Sequence, residues 1–97
     1  MIKNEVIREV AKQTGLGRED VRLSVDALIQ VIKDTLAKRV DAQVSFRGFG
    51  VFRNRVRAEK TARNIKRNTR MVLPERVLPT FKPSKGWSRQ VQEGHLL

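Results

Sequence analysis

RVRAEKTARNIKRNTR, residues 55–70, is the stretch on which the reading of the fold turns. It carries Arg55, Arg57, Lys60, Arg63, Lys66, Arg67 and Arg70 against one acid, Glu59. It offers almost no apolar surface to a core. With Arg53 ahead of it, Arg53, Arg55 and Arg57 recur at every second position, the period of an extended strand, and so share one face. Met71, Val72, Leu73, Val77, Leu78 and Phe81 mark a return strand. Pro74 and Pro79 suit edges or bulges, because proline cannot donate to a central ladder. Asn68 tolerates positive φ and fits the tip of a hairpin. An isolated hairpin of this kind is marginal in water and is expected to be mobile until bound. A two-stranded ribbon fits a DNA groove, where its cations would neutralise phosphates on both sides. At the tip, Asn64 precedes Ile65. A bulky apolar residue among cations is suited to act as a wedge between base pairs.

Outward from this ribbon, the N-terminal side is helical. Val6, Ile7, Val10 and Ala11 recur at three and four residues, the spacing of an amphipathic helix. Thr14-Gly15 ends it, glycine suiting a left-handed cap. Gly17 precedes Arg18-Glu19-Asp20, and acids favour a helix start. Val21, Val25, Leu28, Ile29, Ile32 and Leu36 then form a broad stripe uninterrupted by proline or glycine. The stripe is wider than the first helix can cover, which points to a partner chain. Near Asp41 the period changes. Val44, Phe46, Phe49, Val51 and Phe52 surround Gly48-Phe49-Gly50 and predict two strands joined by a turn. Ser84 to about Glu93 predicts a short helix capped by Ser84, with Trp87 and Val91 on its inner side.

Length and charge agree. The 97 residues suffice for one domain with a modest core. The net charge is +11, of which residues 53–70 hold +7. A local excess of this kind is the footprint of a polyanion contact. There are no cysteines, so neither a disulfide framework nor a thiol site is available. No apolar run approaches the roughly 18 residues of a membrane span. The chain reads as intracellular.

In order, RGFGVF (47–52), RAEKTARN (57–64) and LPTFKPSK (78–85) resemble the signature blocks of the bacterial histone-like DNA-binding proteins, HU and integration host factor. The helical hairpin from Lys3 to Leu36 agrees in length, and the resemblance runs from Met1 to about Val91. It implies an α+β fold: a helical hairpin, a three-stranded antiparallel sheet with a long β-ribbon arm, and a short C-terminal helix, in an intertwined dimer. One domain over 1–97 is expected. Its parts would be a dimerisation hairpin (1–40), a sheet (41–83) with its arm at about 54–76, a last helix (84–93) and a tail (94–97) holding His95. By the resemblance, Phe46, Phe49, Phe52 and Phe81 pack between helices and sheet. Two arms enter the DNA minor groove, with Arg57 and Arg63 as arm arginines and Asn64 beside the wedge. Lys82, Pro83, Ser84 and Lys85 clamp a phosphate at the start of the last helix, and Lys3 makes a flank contact. The remaining candidate DNA contacts are Arg47, Arg53, Arg55, Lys60, Lys66, Arg67, Arg70 and Arg76. Two departures stand out: the wedge position, usually proline, is Ile65, and the usual glycine of the arm turn is Asn68.

Other motifs carry less. Gly15-Leu16-Gly17 lacks the third glycine and the preceding strand of a nucleotide loop and reads as a helix–helix turn. Glu5, Glu9, Glu19, Asp20, Asp26 and Asp34 fall at helical spacing and read as solvated or ion-paired faces. No nucleophile–base pair is visible. The expectation is a non-enzymatic, cytoplasmic, nucleoid-associated protein that binds double-stranded DNA through minor-groove β-arms, with low sequence specificity, and bends or compacts it. It would act as a homodimer without cofactor, metal, membrane or small-molecule substrate. A site-preferring bender of the integration-host-factor kind, an RNA-binding module, an adaptor for acidic partners and a heterodimer with a related chain remain open.

Overall fold

Ile7 is buried in helix α1 (Lys3–Thr14), with Val10 and Ala11 half-buried beside it. The computed structural model describes residues 1–64, 66 and 69–95, Asn64 by its backbone alone. α1 ends where Gly15 takes φ 76°, the left-handed region that glycine enters without a Cβ clash, and its N–H donates to the carbonyl of Ala11 at 2.9 Å. Helix α2 (Arg18–Lys38) follows after a short turn. Glu19 and Asp20 lie in its first turn, favourable beside the positive end of the helix dipole. Arg22 pairs with Glu19 one turn back and holds that carboxyl below its usual range through the hydrogen bonds between them.

Val21 and Leu36 are buried and Val25 and Ile32 half-buried, yet Leu28 stays 48% and Ile29 42% exposed. The wide apolar stripe predicted for α2 is therefore only partly covered within the chain. The chain divides into two compact units, Met1–Asp34 and Thr35–Leu97. The first holds six basic and six acidic residues, so the whole net charge of +11 belongs to the second.

In the second unit, β1 (Gln43–Phe46), β2 (Gly50–Arg57) and β5 (Arg76–Pro83) form an antiparallel sheet in the order β1-β2-β5. β3 (Lys60–Asn64) and β4 (Thr69–Leu73) form a separate two-stranded ribbon. The return strand is thus split in two. Pro74-Glu75 opposite Ala58-Glu59 interrupts the ladder, as a residue without an N–H dictates. Pro79 is accommodated in β5 because β5 is an edge strand.

One face of the sheet is apolar. Phe52 lies opposite Phe81 and Val44, and their neighbours Phe46, Phe49 and Trp87 complete an aromatic cluster. Ring centroids are 4.6 Å apart for Phe52–Phe81 and 4.9 Å for Phe49–Phe81, at tilted angles typical of aromatic packing. Gly50 makes the close approach possible: a Cβ there would lie 2.5 Å from both the Lys82 carbonyl oxygen and the Phe81 ring.

Helix α3 (Lys85–Gly94) is capped by Ser84, whose hydroxyl accepts from the Trp87 N–H at 3.2 Å. Trp87 is half-buried, as expected, but Val91, one turn further on, is 46% exposed and lines an open hollow together with Phe81, Pro83 and Trp87. The helix also runs further than predicted, and His95, expected in a loose tail, closes it by donating its N–H to the Gln92 carbonyl at 3.1 Å.

Candidate nucleic-acid interface

The antiparallel register sorts the cations. Partners across a ladder point to the same side, and alternate residues to opposite sides. Opposite the apolar face, β2 therefore presents Val51, Arg53, Arg55 and Arg57, and β5 presents Lys82, Thr80, Leu78 and Arg76. Five cations fall on one side of two strands: Arg53, Arg55, Arg57, Arg76 and Lys82. The predicted common face of the three β2 arginines is thus present, and β5 extends it. The Thr80 hydroxyl donates to the Arg53 carbonyl at 2.9 Å and fixes the two strands together at that level. A shallow groove of about 630 Å³ runs over this region, lined by Arg53, Arg55, Thr80 and Lys82 among others.

At one end of this face lies a second basic hollow of about 360 Å³, lined by Arg47, Arg53, Lys82, Ser84 and Lys85. Ser84 builds it. Its hydroxyl donates to the Gly48 carbonyl at 3.0 Å, and its N–H donates to the Phe49 carbonyl at 2.8 Å. These bonds tie the turn between β1 and β2 to the start of α3. The result gathers three elements: the turn with Arg47, the end of β5 with Lys82, and the first residue of α3, Lys85. The unpaired N–H groups of the helix start favour an anion there.

At the other end, the ribbon carries Lys60 opposite Leu73 and Arg63 opposite Arg70. The Asn64 backbone pairs with Thr69, and Lys66 lies exposed in the turn. Ile65 and Arg67, named as wedge and tip cation, lie outside the described residues, as does Asn68. Lys3 belongs to the first unit, where it pairs with Asp26, which also accepts from Arg22 at 3.5 Å.

Two positioning residues carry no signal by residue type alone: Thr80, and Asn54. Alternation along β2 does place Asn54 on the apolar side, between Phe52 and Val56, and a polar side chain there requires hydrogen-bond partners. Its amide donates to the carbonyls of Leu36 at 2.8 Å and Arg39 at 2.9 Å, at the C-terminal end of α2. Among the described residues, no group of three or more side chains is arranged to hold a metal ion. No helix among them is long and apolar enough to cross a membrane.

The family model described as bacterial DNA-binding protein matches residues 1–92. A DNA-binding protein HU of Thermotoga maritima is 36% identical over 92 residues, covering 95% of this chain and all of the relative. An integration host factor subunit beta of Marinobacter nauticus is 39% identical over 95 residues, covering 96% of this chain and 94% of the relative. The fold matches an Anabaena HU–DNA cocrystal structure with a TM-score of 0.85 and 26% identity, covering 94% of this chain and 97% of that one. Helical hairpin, antiparallel sheet, ribbon and last helix occur in the same order as the family blocks in the sequence, and the chain belongs to the bacterial DNA-binding protein family, that of HU and integration host factor.

Proposed function

We propose that the protein is a homodimeric architectural protein that binds duplex DNA, enters its minor groove with two β-ribbons and bends it. The observation that carries this reading is the β2–β5 ladder, which sets Arg53, Arg55, Arg57, Arg76 and Lys82 on the face opposite the aromatic cluster. Such a face neutralises a phosphate backbone without reading bases, and binding is driven by counterion release. The name of the Anabaena structure records HU bound to DNA, which supports the same partner here. The uncovered apolar stripe of α2, with Leu28 and Ile29 exposed, supports a second copy as its cover.

In this reading, residues 1–40 supply the dimerisation surface, 41–83 the DNA-contacting sheet and arm, and 84–93 the last helix. The hollow at Arg47, Lys82, Ser84 and Lys85 holds one phosphate, and Arg57, Lys60, Arg63, Asn64, Lys66, Arg67 and Arg70 follow the groove. Lys3 contacts flanking DNA. Ile65 opens a base step in the position usually held by proline. Bending 20–30 base pairs costs on the order of 1–6 kcal/mol, which the flanking cations offset through added backbone contacts. Acting on chromosomal DNA, the protein would be associated with the nucleoid.

Energy transfer between the two ends of a labelled duplex tests the wedge. Ile65→Ala is expected to reduce bending while leaving most of the affinity, since the phosphate contacts remain. Unchanged bending would leave Ile65 as an ordinary strand residue. Relatives of both names, HU and integration host factor, match the chain, so site preference is decided by comparing designed with scrambled sequences. Similar affinity throughout is the expected result.

A further inference from the structure

On the β2–β5 ladder most cations face an uncharged partner. Arg53 lies opposite Thr80, Arg55 opposite Leu78 and Lys82 opposite Val51, but Arg57 lies directly opposite Arg76. Like charges at directly opposed positions disfavour strand pairing. Both arginines are exposed. Among the described residues, the ion pairs are Lys3–Asp26, Arg22–Glu19, Arg22–Asp26 and Arg39–Asp41, so no acid neutralises either one. Glu59 and Glu75, the acids nearest in sequence, are outside these pairs as well.

The position of the pair sharpens the point. Arg57–Arg76 is the last rung of the sheet. Beyond it the ladder lapses over Ala58-Glu59 and Pro74-Glu75 and resumes only at Lys60–Leu73. A repulsive rung at the root of the ribbon has no adjacent rung on the ribbon side to hold it closed.

Building on the DNA reading above, we propose that Arg57 and Arg76 form a single clamp that takes one phosphodiester of the DNA backbone between them. A phosphodiester has two non-bridging oxygens that share one negative charge. Each guanidinium presents a planar fork of donors, so one oxygen can go to each fork. The bound anion turns the repulsion across the rung into attraction. One contact thus neutralises a phosphate and closes the root of the ribbon, coupling ribbon order to the backbone whatever the base sequence.

The test measures affinity of the full-length protein for one duplex across a salt series, for the parent chain, Arg57→Gln, Arg76→Gln and the double variant. A shared phosphate predicts that the salt slope of the double variant falls by ~0.9 per protomer, and that the second substitution adds little to the affinity loss of the first. Two independent contacts predict a fall of ~1.8 per protomer with additive losses, which would overturn the clamp. An unchanged slope would overturn it too. Arg76→Glu tests the repulsion directly: a cross-strand ion pair with Arg57 should slow amide exchange at the end of the ladder in the free protein, while affinity falls below that of Arg76→Gln. Unaltered exchange contradicts the proposal. If the parent chain itself fails to bind duplex DNA, the DNA reading falls and the clamp with it. If the parent binds but the double variant loses nothing, only the clamp falls.

Discussion

Asn54 donates its side-chain amide to the backbone carbonyl of Leu36 at 2.8 Å. A second bond, to the carbonyl of Arg39 at 2.9 Å, uses the same nitrogen. The last carbonyls of a helix have no partner within it. Here the central strand of the sheet supplies one, and the strand that carries Arg53 and Arg55 is thereby held to the end of α2. Asn54→Leu keeps the volume but leaves both carbonyls without this donor. The expected loss of stability is about 1–3 kcal/mol, read from urea unfolding at fixed protein concentration. A midpoint unchanged from the parent would mean that water replaces the amide at no cost.

Gly50 and Gly86 offer a matched pair. A methyl group at Gly50 would meet the Lys82 carbonyl and the Phe81 ring at 2.5 Å, whereas nothing lies within 4 Å of one at Gly86 in α3. Gly50→Ala is expected to lower stability by about 1–3 kcal/mol as β2 and β5 are forced apart. Gly86→Ala is expected to be neutral or to raise stability by up to about 1 kcal/mol through helix propensity. Thermal unfolding of the two variants side by side checks the contrast.

Much of this architecture is legible in the sequence, and the reasons are local. The 3–4 spacing of Val6, Ile7 and Val10 gives α1. Gly15 marks its end, and Ser84 marks the start of α3. The alternation of Arg53, Arg55 and Arg57 gives the charged face of β2. What the sequence left open depends on register. Whether Arg57 meets Arg76 or an acid is set by the pairing of two strands some twenty residues apart, and no local pattern fixes it. Asn54 is similar: its place on the apolar side is readable from alternation, but its two partners lie at the end of a helix 15 and 18 residues earlier. The break between β4 and β5 could be suspected from Pro74, yet its matching break at Ala58-Glu59 has no residue that requires it.

Lys3 is paired with Asp26 in the first unit, and a cation already paired gives less to a phosphate. Asp26→Asn removes that competitor. If Lys3 contacts flanking DNA, the variant should bind a long duplex more tightly and with a steeper salt dependence, with little change on a duplex too short to reach the flank. Equal effects on both lengths would place the gain elsewhere, because Asp26 also accepts from Arg22.

Trp87 is the single tryptophan of the chain and packs 5.0 Å from Phe49. Its emission therefore reports the aromatic cluster. Followed in urea, a homodimer should unfold at a midpoint that rises with protein concentration, since association stabilises the folded form by mass action. Midpoints that coincide across a hundred-fold range of concentration would indicate a folded monomer and would contradict the second copy as the cover of α2.

The most direct measurement is binding and bending together: a duplex DNA and a duplex RNA of the same sequence, each labelled at both ends, titrated with protein over a salt series. The expected result is preferential binding to DNA, affinity that falls steeply as salt rises, and DNA ends drawn together on binding. Equal or tighter binding to RNA, or DNA bound with its ends no closer, would contradict an architectural DNA-bending role.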